Sequence, residues 1–126
     1  MRVLIVHRYY WPDQTACSGI MRALAAHLVQ DLHTVTVLTS QPSYRLDASM
    51  KPRRKVETID GVLVKRLNLS FEIGRVWKRV VNGFRLGLSV LLEVGLLRKY
   101  DLIVVTSIPP VLGGFFAALS AKIRGI

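Results

Sequence analysis

Apolar residues follow two rhythms along this chain, and their alternation lays out a β-loop-α-β plan. Continuous apolar runs at about residues 2–7 and 101–106 predict strands covered on both faces. Runs at about 34–39, 54–59 and 62–67 predict three more strands. Helical spacing predicts helices at about 18–31, 75–98 and 110–124. In the first helix Ile20, Leu24 and Leu28 share one stripe, with Met21 and Ala25 beside it and Arg22 and Gln30 away from it. Asp60-Gly61, between two alternating runs, predicts a hairpin turn. Residues 40–53 read as a basic linker holding Pro42, Ser43 and Pro52. Gly125 predicts the end of the last helix. The expected fold is α/β: a Rossmann-like, doubly wound, mostly parallel sheet with an inserted β-hairpin, one domain over residues 1–126. A doubly wound domain would normally continue with a further strand, so the domain is expected to be truncated at its C-terminal end.

Composition sharpens this picture in two ways. The chain is 51% hydrophobic, with a mean hydropathy of +0.35, so an apolar excess needs an outlet on a partner or membrane surface. A net charge of +10 points to an anionic partner, whether nucleic acid, anionic lipid or a phosphorylated substrate. The single cysteine, Cys17, excludes an internal disulfide framework and fits a reducing compartment. No signal peptide is visible, and no run of apolar residues is long enough to cross a bilayer.

Several chemistries lack their residues. No G-x-G-x-x-G follows the first strand, and no carboxylate ends the second, which argues against a dinucleotide cofactor. There is no G-x-x-x-x-G-K-[ST] and no D-x-D. His7, His27 and His33 lack metal-ligand spacing, so no metal is expected.

Three segments could carry chemistry. The loop from Tyr10 to Gly19 opens onto a helix N-terminus, whose outward N–H groups suit phosphate or carboxylate. There Asp13 could orient or deprotonate a hydroxyl, and it is the weak candidate for a catalytic residue. Thr15, Cys17 and Ser18 are small and polar, Ser18 reads as the N-cap, and Gly19 admits a ligand close to the backbone. Cys17 is a poor nucleophile candidate, since no histidine adjoins it in sequence. The second segment is Thr106-Ser107-Ile108-Pro109-Pro110, expected beside the first loop at the same sheet edge. The third is the start of the long helix, where Arg75, Trp77, Lys78, Arg79 and Arg85 interleave with apolar positions in the manner of an interfacial membrane helix. Its later half, after Phe84, reads as an ordinary crossover helix packed on the sheet. Base-stacking aromatics on a strand are missing, which counts against nucleic acid.

His7-Arg8-Tyr9-Tyr10-Trp11-Pro12-Asp13-Gln14-Thr15-Ala16, the second-strand stretch Val35 to Tyr44, and Tyr100-Asp101-Leu102-Ile103-Val104-Val105-Thr106-Ser107-Ile108-Pro109-Pro110 together resemble the N-terminal domain of family 4 glycosyltransferases. The similarity is greatest to the branch that builds bacterial surface polysaccharides on lipid carriers. The resemblance implies one half of a two-domain GT-B architecture, metal-independent and retaining, with no cofactor beyond a nucleotide-diphosphate sugar as co-substrate. It implies that Thr15, Ser18 and Gly19 approach the donor diphosphate and sugar. Tyr10, Thr106 and Ser107 would lie on the acceptor side. It also implies a lipid-linked acceptor, a donor-binding companion domain, and a peripheral, cytoplasmic position on the inner face of the membrane. Two departures stand out. Relatives often carry a Gly-Gly pair where only Gly19 stands, and a histidine where Thr106-Ser107 stand, which leaves the general base unassigned. The donor-binding domain is missing, so this chain alone is expected to be inactive. The other expectation is a non-catalytic membrane-docking subunit that recruits a separate donor-binding protein.

Overall fold

A computed structural model describes residues 1–8, 10, 16–41, 55–68, 76–97, 100–105 and 112–126. Its strands are β1 (Arg2–Val6), β2 (Thr34–Gln41), β3 (Val56–Ile59), β4 (Val62–Asn68) and β5 (Leu102–Val105). Its helices are α1 (Ala16–Gln30), α2 (Val76–Leu92) and α3 (Leu112–Arg124), and a π-helical turn, Glu93–Leu97, extends α2. The strands form one sheet in the order β3-β4-β2-β1-β5. β1 is parallel to both β2 and β5, β2 is parallel to β4, and β3 alone runs antiparallel, against β4. The chain thus winds outward from β1 to β4 and then crosses back to β5 on the other side of β1. This is a mostly parallel α/β sheet whose strand order reverses between β1 and β5.

Alternating side chains divide the core in two. Val3, Ile5, Val35, Val37, Val62 and Val64 pack under Ala25 of α1. Leu4, Val6 and Leu38 pack under Leu86, Val90, Val94 and Ala117. Both faces of β1 are therefore dry, as its continuous apolar run predicts. At β5 the same kind of run stands at a sheet edge, with Leu102 exposed and Ile103 to Val105 only partly buried.

Local chemistry sets the turns. Asp60 and Gly61 both take positive φ, 53° and 77°, which is the two-residue hairpin turn whose twist matches its strands. The end of α3 follows a Schellman pattern: Gly125 has φ 69°, and the Ile126 amide donates to the Ala121 carbonyl at 2.9 Å. α1 ends in the same pattern, with the His33 amide donating to the Leu28 carbonyl at 3.0 Å. Here the left-handed position is filled by Leu32, at φ 64°.

Two expectations need correction. α1 is rotated from its predicted face: Ile20 is 61% exposed and Leu24 is exposed, while Met21, Ala25, Leu28 and Val29 meet the sheet. The small Ala25 lets the helix seat closely on the valine surface of β2 and β4. Ser18 is not the N-cap, because α1 already begins at Ala16 and Ser18 lies inside its first turn. The later half of α2 packs on the sheet as expected, through Leu86 and Val90. Leu86, Gly87 and Val90 are buried, whereas Leu88 and Leu92 remain exposed. α3 seats against α2 at Gly87, where an added Cβ would lie 2.2 Å from Phe116 Cδ2.

Candidate functional site

The exits of β1 and β2 are tied together by buried polar groups. The His7 amide extends the ladder by donating to the Leu38 carbonyl at 3.1 Å. The Arg8 carbonyl then accepts from Thr39 Oγ1 at 3.2 Å and from Ser40 Oγ at 2.7 Å. The Arg8 guanidinium returns to the same place, Nη1 donating to Ser40 Oγ. His7, Arg8, Thr39 and Ser40 are all buried. Burial pushes the His7 imidazole below its ordinary value, favouring the neutral ring. A cation and a neutral imidazole are thereby buried at the carboxyl edge.

That loop leads to the N-terminus of α1. The first turn of α1 carries no acidic residue, so no side-chain carboxylate on that turn offsets the positive end of its dipole. Ser18 is buried, and Cys17 and Gly19 are exposed. A Cβ added at Gly19 would meet nothing within 4 Å.

Tyr10, expected on the acceptor side, is placed elsewhere. It is 2% exposed and packs in the α1-side core with Ala25, Val62 and Val64. Its hydroxyl has no hydrogen-bond partner among the described residues. Burial raises its pKa, Asp60 adds to the rise, and Arg22 and Arg66 oppose it. Nearby, Arg22 Nε donates to Asp60 Oδ2 at 2.8 Å, and Arg66 pairs with Glu57. Tyr10 is thus a core residue rather than part of an open surface.

Asp13, Thr15, Thr106, Ser107 and Arg75 lie outside the described residues. The pairing of β1 with β5, Val6 beside Val105, brings the ends of the two strands to one place on the carboxyl edge. Trp77, Arg79 and Arg85 are exposed and Lys78 is half-buried, all on α2. Among the described residues no group of three His, Cys, Asp or Glu is placed to hold a metal, and no helix is long and apolar enough to cross a membrane. Sequence reasoning missed the Arg8–Thr39–Ser40 tie. Its signals were a cation directly after an apolar strand and two hydroxyls at the end of the next strand.

A second polar cluster lies on the α2 side of the sheet. Lys65 Nζ donates to both carboxylate oxygens of Glu93, at 2.7 and 2.8 Å. The Tyr100 hydroxyl donates to Glu93 Oε1 at 2.7 Å. Glu93 and Tyr100 are buried. The cluster joins β4, the π-helical turn and the approach to β5.

No protein-family model, no curated protein and no solved structure matches this chain. The fold by itself defines a mostly parallel α/β sheet whose strand order reverses between β1 and β5.

Proposed function

We propose that the chain is the acceptor-side half of a retaining, metal-independent glycosyltransferase. It would move a sugar from a nucleotide-diphosphate sugar to a lipid-linked saccharide in bacterial surface-polysaccharide synthesis. The observation that carries this reading is the reversal of strand order between β1 and β5, because open α/β sheets bind ligands at such a crevice. The lack of an acidic residue in the first turn of α1 and the space beside the Gly19 Cα support it. In this reading the departing diphosphate is stabilised by the α1 N-terminus. Thr106 and Ser107 face the acceptor, with Tyr10 holding the first loop from within. A companion domain holds most of the donor.

Titration with uridine diphosphate, followed by amide resonances, tests the site. Shifts are expected at Cys17, Ser18 and Gly19. Gly19→Trp should abolish them without moving the melting temperature, since nothing crowds that position. Shifts confined to other regions, or an unaffected Gly19→Trp titration, would defeat the assignment. A second reading, a membrane-docking subunit that recruits a donor-binding protein, is favoured by the exposed apolar side of α2. It needs no nucleotide at Gly19, so the same titration separates the two.

A further inference from the structure

We infer that two copies of the chain join through β5, edge to edge and antiparallel, into one continuous sheet. β5 closes the described sheet on one side, paired with β1 alone. Its outer row of backbone N–H and C=O groups therefore meets no strand among the described residues. The side chains match those of an interior strand. Leu102 to Val105 is a continuous apolar run with no charge, proline or glycine, the pattern of a strand covered on both faces. Its pairing with β1 makes the comparison direct. Val3, Leu4, Ile5 and Val6 are 0% exposed. Their neighbours in register are Leu102, 42% exposed, and the half-buried Ile103, Val104 and Val105. The opposite edge is guarded: β3 carries Glu57 and Thr58 among its four residues, and charge on an edge strand deters a second strand.

What completes such a row of backbone groups is another strand. A two-fold axis through β5 supplies one with matching faces. Ile103 and Val105 lie on the α2–α3 side, and Val104, with Leu102 two residues before it, on the α1 side. Across the join each apolar pair meets its own kind. The helices leave room for this. α1 seats on β2 and β4 rather than on β5. α3 lies against β5 and turns Phe116 toward α2, at Gly87. Helical spacing puts Gly114, Ala118 and Ala121 on the flank opposite Phe116, away from α2, and short side chains there let a second α3 come close. Charge also permits a second copy at this edge, although the chain carries a net +10. The four residues of β5 are uncharged. Lys78, Arg79 and Arg85 belong to α2, on the other side of α3 from the free edge. Lys122 and Arg124 stand in the last turn of α3. An antiparallel join sets the two last turns at opposite ends of helices roughly 20 Å long, beyond the screening length of about 8 Å.

One consequence is orientation. β1 and β5 are parallel, so the carboxyl edges of the two copies point in opposite directions and neither blocks the other. The join itself does not depend on the sugar-transfer reading: it stands or falls on the association state, and that reading on nucleotide binding.

Sedimentation equilibrium of the full chain over a wide range of concentration tests the inference. A monomer–dimer equilibrium is expected. Leu102→Lys, at an already exposed position, should weaken it at least about tenfold. Val56→Lys, at the exposed start of β3, and Leu88→Glu, on the exposed side of α2, should leave it unchanged. Thermal melts by circular dichroism confirm that each variant is folded. Hydrogen exchange gives a reading that needs no variant: the outward amides of β5 should exchange more slowly as concentration rises, while those of β3 stay the same. A monomer at every concentration would overturn the inference. So would a dimer that Leu102→Lys leaves intact, that Val56→Lys or Leu88→Glu splits, or that forms without slower exchange in β5. Assemblies that keep growing with concentration would overturn it too, since a two-fold join closes at two copies.

Discussion

Replacing Glu93 with leucine removes the acceptor of three hydrogen bonds from a site with little water to compensate. The Glu93 side chain is 6% exposed and that of Lys65 is 20% exposed. Without the carboxylate, the Lys65 ammonium and the Tyr100 hydroxyl lose these bonds. Breaking one side of a buried ion pair costs about 3–5 kcal/mol. Lys65 keeps partial access to solvent along its flexible stem, so the lower end applies, about 3 kcal/mol. A domain of 126 residues loses roughly 4 °C of melting temperature per kcal/mol, so the drop should be near 12 °C. Lys65→Met should also destabilise the chain, because the buried carboxylate loses its cation while it keeps the Tyr100 hydroxyl. The double variant, Lys65→Met with Glu93→Leu, should be more stable than either single one, because it leaves neither buried charge without the other. Urea unfolding followed by circular dichroism measures all three. Additive losses in the double variant, or a Glu93→Leu cost below about 1 kcal/mol, would refute the reasoning.

Leu32→Gly should stabilise the chain by about 1 kcal/mol, since the present leucine is 92% exposed and held at φ 64°, where a side chain is strained; chemical denaturation reads the gain. Gly87→Val should cost about 1–3 kcal/mol by forcing the Phe116 ring out of its seat on α2, and adding Phe116→Leu should recover part of the loss in the same assay. Burial lowers the His7 pKa from 6.5, so the unfolded chain takes up the proton first as pH falls. Stability should then be greatest above about pH 6.5 and decline below it until folded His7 itself titrates. Urea midpoints measured across that range should flatten in His7→Gln.

What the sequence disclosed follows the range of the forces involved. The Asp60-Gly61 turn and the Gly125 helix end are decided by the conformations those residues tolerate, so both were readable. The two-faced burial of β1 was readable because four consecutive apolar residues admit no other environment. The orientation of α1 was not: Ile20, Leu24 and Leu28 form as good a stripe as Met21, Ala25 and Leu28, and only the shape of the opposing sheet chooses. The burial of Tyr10 depends on β4, more than fifty residues away in the chain. The tie between Arg8 and Ser40 and the triad of Lys65, Glu93 and Tyr100 also join distant positions. The hydrophobicity of α2 was legible in total, but not its division between the sheet and the outside.

Both chain ends emerge at the amino edge of the sheet. β1 begins there, with the Met1 carbonyl accepting from the Thr34 amide at 3.0 Å. α3 finishes beside the π-helical turn, where Arg124 Nε donates to the Val94 carbonyl at 2.8 Å. The opposite rim stands one strand height away, roughly 17 Å for a five-residue strand such as β1. A segment running on from Ile126 to that rim therefore needs at least about five extended residues to climb the flank. A reporter fused at Met1 or Ile126 hangs behind the sheet, leaving the far rim unobstructed.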